Sequence, residues 1–206
     1  MARFDNPLAT WQARYAGEDY HFGEAPNAFV ARHAHRIAPG GRVLCVADGE
    51  GRNSVHLAAQ GARVTAFDFA PNALAKARRL AHARGVTVDL HDGDIYAWDY
   101  GAATYDAVVA VFIQFMPPED RDRVFARMQA AVVPGGLFLL EGYRPEQVDY
   151  GTGGPPHREN MYTRGWLEQT FAGWDIEVLD AYDAAIQEGP GHDGMSALID
   201  LVARRR

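Results

Sequence analysis

Between Val43 and Ala58 the chain reads VLCVADGEGRNSVHLA: an apolar run, two closely spaced glycines, and a segment of helical pattern. A turn of this kind leaves backbone N–H groups at the start of a helix, where they can meet an anion or a closely approaching polar ligand. The missing side chains at Gly49 and Gly51 raise the question of what lies against the backbone there. Asp68 stands at the end of the second apolar run, where a carboxylate can accept hydrogen bonds from both hydroxyls of a ribose. Glycine loop and acid together point to a nucleoside-containing ligand, with a nicotinamide or flavin dinucleotide as one reading. The competing explanations are local: a glycine pair can be a tight turn, Asp68 a helix cap, and Asp92 and Asp94 turn formers around Gly93.

These residues need a sheet to hold them. Val43–Val46, Val64–Phe67, Val86–Leu90, Ala107–Phe112 and Leu137–Leu140 read as strands, several with little polar alternation, as expected of parallel strands covered on both faces. Pro71 to Arg84 reads as a helix with proline in its first turn and Gly85 as its stop. Glu119 to Val132 carries acids early and sets Val124, Met128 and Ala131 on one face. After Trp174 two extended runs, Asp175–Ile186 and Ser196–Ala203, are joined by QEGPGHDGM, too short for a parallel crossover. The expected fold is an α/β, doubly wound, mostly parallel seven-stranded sheet with a C-terminal antiparallel strand pair. One domain spans 1–206, with a helical cap over 1–37 from the segments Leu8–Tyr15 and Pro26–Ile37. Cys45 sits mid-strand and reads as a small buried apolar group.

Three further stretches complete a pattern. VVPGGLFLLE, from Val132, is a helix end, a Pro-Gly-Gly reversal and a strand; DLHDGDIYAW places Asp94 and Ile95 after the third strand; and the sheet ends in a strand pair. With the opening stretch, these resemble the class I S-adenosylmethionine-dependent methyltransferases over nearly the whole chain. The resemblance implies a Rossmann-like fold with S-adenosyl-L-methionine as cofactor. Gly49 and Gly51 would let its methionine part lie against the backbone, with Asn53 nearby. Asp68 would bind the ribose, Phe69 would pack on the adenine, and Asp94 and the N–H of Ile95 would meet the adenine edge. Backbone at Ala110 and Val111 would face the methionine ammonium. The family usually has an acid where Cys45 stands and a glycine where Ala47 stands, so Asp48 is expected to supply the missing carboxylate.

WQARYAGEDYHFGEAPNAFV and the loop DYGTGGPPHRENMYT, with GEGRNS, narrow the resemblance to the small tellurite-resistance and thiopurine-type group, which methylate soft sulfur, selenium or tellurium centres. Trp11, Arg14, Tyr20 and Phe22 would then close the pocket, because an aromatic face attracts a sulfonium. Residues 143–162 are expected to form a substrate lid, a Gly/Pro-rich loop without its own secondary structure, holding a small soft or anionic acceptor through Arg144 or Arg158 with Tyr162. Gln114 and His192 complete the expected substrate set, and no general base is assigned. A nicotinamide-dependent oxidoreductase and a non-catalytic binding module remain the alternatives.

Composition bounds the partners. A formal charge of −7 argues against a phosphate-backbone surface, and VFIQFMPP lacks the Asn/Asp-Pro-Pro-aromatic motif of nucleic-acid amino methyltransferases. The longest apolar run, Ala107 to Met116, is too short for a membrane span, and MARFDNPLAT has no signal-peptide core. One cysteine excludes an intramolecular disulfide. The eight histidines are scattered without ligand spacing, so no metal is expected. The chain reads as a cytoplasmic enzyme acting on a small molecule, as monomer or weak homodimer, without nucleic-acid or membrane partners.

Overall fold

The computed structural model describes residues 6–206; the first five residues of the expected cap lie outside the described residues. Five strands run parallel: β1 (Arg42–Val46), β2 (Arg63–Asp68), β3 (Asp89–Asp92), β4 (Tyr105–Val111) and β5 (Val132–Tyr143). Two long strands, β6 (Trp174–Gln187) and β7 (Asp193–Arg205), form an antiparallel hairpin, and the sheet order is β3-β2-β1-β4-β5-β7-β6. The helices are α1 (Pro7–Arg14), α2 (Ala28–His33), α3 (Arg52–Ala59), α4 (Pro71–Ala83), α5 (Pro118–Ala131), α6 (Gln147–Tyr150) and α7 (Arg164–Thr170). Among the described residues, no helix is long and apolar enough to cross a membrane.

The central strands are buried on both faces because their side chains alternate between two cores. Leu44, Val108 and Phe138 face α5 and α7, packing with Phe125 and Phe171. Val43, Cys45, Val109 and Leu139 face the other way, against Phe29 and Val30 of α2 and Leu57 of α3. Cys45 is fully enclosed there, and burial pushes its thiol up, as its apolar reading implies. The chain leaves β1 toward β2 on one side, while β4 lies on the other. That reversal opens a crevice at the C-terminal ends of β1 and β4.

The hairpin reaches beyond the parallel strands. β7 pairs with β5 only through Leu198–Arg204, so its earlier residues run on with β6 past the end of the sheet. A strand of 13 residues spans about 44 Å at about 3.4 Å per residue, against about 24 Å for the 7 residues of β4. The turn between β6 and β7 is thereby carried over the crevice.

Two expectations need correction, the start of the third strand and the 143–162 segment, while the 26–37 segment is helical as expected. The third strand begins at Asp89, not Val86, because Val86 and Val88 are used as packing for Val55 of α3 and Leu80 and Ala81 of α4 before the ladder starts. The cap segment 26–37 is α2 followed by a 3-10 turn at Ala34–Arg36. The 143–162 segment is not an unstructured lid. It starts with the end of β5, contains α6 and a 3-10 turn at Arg158–Asn160, and is pinned to β7 by Gln147, whose Oε1 accepts from the Ala197 N–H (2.8 Å).

Gly51 answers one half of the opening question. Its φ is +89°, and a Cβ there would stand 2.7 Å from the Ala77 Cβ and 2.9 Å from its Cα. Helix α4, not a ligand, lies against this glycine. Gly51→Ala is therefore expected to destabilise the fold by roughly 2–4 kcal/mol, from a left-handed φ and an overpacked contact. Urea denaturation of Gly51→Ala, Ala77→Gly and the double variant checks this. The double variant should be more stable than the sum of the single changes predicts, and strict additivity would remove Ala77 as the cause.

Candidate active site

A cavity of about 330 Å³ fills the crevice. Its floor is the chain leaving β1 (Val46–Gly49), the end of β2 (Asp68, Phe69) and the end of β4 with the residues beyond it (Val111, Phe112, Gln114). Its roof comes from the N-terminal segment through Trp11, Arg14, Tyr15, His21 and Phe22. Tyr143, Gly153–Pro155 and the hairpin turn at Pro190–His192 close the far end.

At the near end two carboxyl groups, Asp68 buried and Asp48 half-buried, have no ion pair among the described residues. Asp68 Oδ2 accepts from the Gly49 N–H and Oδ1 from the Ala70 N–H, both at 2.9 Å. Burial nevertheless pushes Asp68 up to about 6, against these bonds. Asp48 accepts from the Ser54 hydroxyl, and burial pushes it up to about 7. The neighbouring cations are committed elsewhere: Arg52 to Glu188 and Lys76 to Glu50, each at 2.7 Å. Arg14 lies over the Trp11 ring, 4.6 Å from its centroid. Such a site suits a ligand that brings its own positive charge together with hydroxyl donors. S-adenosylmethionine, with its ammonium, sulfonium and ribose, fits this donor set. The pyrophosphate of a dinucleotide would add negative charge beside these two acids, which costs free energy.

Ala47 takes φ +48°, the left-handed conformation that explains glycine at this place in the resembled family. A Cβ on Gly49, at φ +63°, would meet the Tyr15 hydroxyl at 3.2 Å. Tyr15 stacks on Trp11, with ring centroids 5.5 Å apart, and covers the loop from above.

The far end is aromatic. Phe112 holds φ +54°, uncommon for a bulky residue, and its ring lies 4.2 Å from His192 and 4.7 Å from Tyr143 between centroids. Phe22 lies 4.5 Å from the same histidine ring. Gln114 is buried, its Nε2 donating to the Tyr143 carbonyl at 3.4 Å. Beneath this end runs a buried polar chain. Glu188 accepts from Arg52, from Asn27 Nδ2 (3.1 Å) and from the Ala28 N–H (3.2 Å). Against burial, which raises it, His192 and Arg52 hold Glu188 down to about 2. Asn27 also donates to Glu141, which burial and the neighbouring Asp200 push up to about 8.

Of the expected cofactor residues, the cavity brings together Trp11, Arg14, Asp48, Gly49, Asn53, Asp68, Phe69 and Val111, and of the substrate set Phe22, Gln114 and His192. The others are not among its lining residues; at Ile95 and Ala110 the expected contact is through the backbone, which a core side chain does not oppose. Tyr20 packs on α4, its hydroxyl donating to the Lys76 carbonyl (3.1 Å). Gly51 faces Ala77, and Ala110 points into the core. Asp94 forms a turn, accepting from the Tyr96 N–H (2.7 Å), and the Ile95 side chain is core. Arg144 is held by Asp183, and Arg158 by Asp149 and the Pro145 carbonyl (2.8 Å). Tyr162 is buried in the core, stacked on Trp166 with ring centroids 5.4 Å apart. Sequence reasoning missed Tyr15, His21, Arg52 and Phe112. Only Tyr15 carried a signal, lying four residues after Trp11 on the same helical face.

Comparison with known proteins agrees with this geometry. Residues 43–136 match the family described as a methyltransferase domain. The phosphatidylethanolamine N-methyltransferase of Cereibacter sphaeroides is 35% identical over 132 residues, 62% of this chain and 63% of that protein. The chain spans about half the length of the curated relatives it matches. TehB from Haemophilus influenzae has the same fold, with a TM-score of 0.73 at 20% identity over 97% of this chain and 67% of that one. A structure from the conversion of a disulfide bond into a thioacetal group during echinomycin biosynthesis gives a TM-score of 0.76. It is 20% identical and covers 97% of this chain and 92% of that one. Residues 43–136 are thus similar to a methyltransferase domain, and the chain shares its fold with these solved structures.

Proposed function

We propose that the protein transfers a methyl group from S-adenosylmethionine to a small molecule with a soft nucleophile, of the sulfur, selenium or tellurium kind. The carrying observation is the far end of the cavity, walled by Phe22, Phe112 and Tyr143, where Arg52 is neutralised by Glu188. Arg144 and Arg158 are tied into ion pairs outside it, so among the described residues an oxyanion acceptor meets no unpaired arginine at this end. A polarisable sulfur centre is well placed among aromatic rings. The solved neighbour tied to conversion of a disulfide into a thioacetal also handles sulfur. The family match ends before Tyr143, Gly153–Pro155 and His192, so the relatives' acceptors do not carry over with it.

When bound, the cofactor supplies an electrophilic methyl group on a sulfonium. The chain's own work is to hold, align and dry. Asp68 and the Gly49 N–H position the ribose side, Asp48 faces the cationic part, and Trp11, Tyr15 and Phe22 exclude water above.

Differential scanning of the ligand-free protein tests the cofactor reading. S-adenosylhomocysteine at about 100 times its Kd should add about 2.7 kcal/mol, a rise in Tm of roughly 5–10 °C, whereas NAD or NADP should add nothing. Asp68→Ala should abolish most of that rise, because each charge-assisted bond to a hydroxyl contributes about 1.5–3 kcal/mol. A rise with NAD and none with S-adenosylhomocysteine would select the oxidoreductase.

The raised carboxyls also set a pH dependence. Below about 7 for Asp48 and about 6 for Asp68 these groups are protonated in the free protein and lose their attraction for the ligand's ammonium. Affinity for S-adenosylhomocysteine, read by calorimetry, should therefore strengthen as pH rises from 5.5 to about 8. Asp48→Asn should flatten the upper part of that rise; an unchanged slope would remove Asp48 from the ammonium site.

A further inference from the structure

The turn that closes the cavity carries two titratable side chains that meet. Glu188 donates its N–H to the His192 carbonyl at 2.8 Å, and the His192 N–H reaches the Gly189 carbonyl at 3.1 Å, so both side chains leave one tight turn together. His192 Nδ1 is buried without a hydrogen-bond partner and faces Glu188 Oε2 at 3.8 Å. The carboxylate itself is fixed from three other directions by Arg52, Asn27 and the Ala28 N–H. The imidazole, clamped between Phe22 and Phe112, lines the cavity at its acceptor end. A ring nitrogen facing a fixed carboxylate, on an imidazole that lines a reaction cavity, is the arrangement of a general base and its positioning acid.

Resting on the methyl-transfer reading above, we infer that His192 is the general base of this site, oriented by Glu188, and that the acceptor is a protonated thiol. Glu188 holds the proton on Nδ1 and leaves Nε2 as the acceptor nitrogen. As the new S–C bond forms and the sulfonium's C–S bond breaks, the thiol proton passes to Nε2 and the cofactor leaves as a neutral thioether. The imidazolium then releases that proton to solvent. A chalcogenide already ionised in water would need no such group. The groups facing His192 are Glu188, Arg52, His21 and the Tyr143 ring. Burial, Arg52 and His21 lower its pKa while Glu188 raises it, and the balance is downward, so the ring is a neutral acceptor at physiological pH. His21 also lines the cavity, but no carboxylate orients it through a hydrogen bond or ion pair among the described residues.

The experiment uses the full chain, S-adenosylmethionine and two thiol probes: benzyl mercaptan, protonated at neutral pH, and 4-nitrothiophenol, already ionised. His192→Gln should lower kcat/KM about 100-fold or more with benzyl mercaptan and less than about tenfold with 4-nitrothiophenol, since only the first needs proton removal. Glu188→Gln should show the same selectivity and also shift the His192 titration, followed by NMR, to lower pH. A merely structural Glu188 would leave that titration in place. Equal losses on both thiols would overturn the base assignment, and a wild type that binds S-adenosylhomocysteine but methylates neither thiol would overturn the thiol. Failure of the wild type to bind S-adenosylhomocysteine would instead overturn the cofactor reading. Because His192→Gln could disturb the turn, the neutral tautomer of the wild-type ring gives a second test. A proton on Nδ1 is expected, and a proton on Nε2 would overturn the assignment.

Discussion

The enclosure of the cavity depends on one contact between the two ends of the chain. Residues 21–23 lie directly on the hairpin turn, with the Gly191 N–H donating to the His21 carbonyl at 3.1 Å. A Cβ on Gly189 would stand 2.6 Å from that carbonyl oxygen, and one on Gly191 would stand 2.4 Å from the Phe22 ring. Only glycine at both positions lets the N-terminal segment settle there. Without it the crevice at the sheet edge would be an open groove, and Phe22 would have no wall to complete. The long β6–β7 hairpin is what delivers those glycines, since its tip overhangs strands that end much earlier.

A second constraint is the large number of acids this fold buries for its few buried cations. Asp48 and Asp68 at the near end, and Glu141 and Asp200 beneath the far end, are all pushed upward by burial. Arg52 is spent on Glu188, and Lys76 on Glu50. Folding therefore leaves two different kinds of acid. Glu141 and Asp200 sit opposite each other on β5 and β7, are bonded by Asn27 and Tyr182, and can be satisfied by holding a proton. Asp48 and Asp68 open onto the cavity, where a cationic ligand can do what a proton otherwise does. The same burial that weakens the empty protein above neutral pH thus favours the bound one.

Residues that look like ligands in a sequence can be structural once their neighbours are known. Arg144 and Arg158 lie in a loop at the right edge of the sheet, yet each finds an acid nearby, Asp183 and Asp149. What that loop offers the cavity is Gly153–Pro155, chemically plain and shaped to lie against Tyr143. The far end is consequently apolar and aromatic.

The sequence by itself determined whatever rests on local physics. Strand periodicity, proline at the start of α4 and α5, the Gly49 loop, and Asp68 at a strand end were all legible, because each signal lies within a few residues of what it specifies. Asp48 and His192 could be placed near the cavity because they flank those elements. Tertiary structure decided the rest. Gly51 is required by Ala77, a residue of another helix, and the start of β3 was set by which valines α3 and α4 take up. The far end of the cavity joins Phe22, Arg52, Phe112, Tyr143 and His192 from five separate segments. No short-range pattern encodes that meeting, because it arises from how the hairpin and the N-terminal segment pack over the sheet.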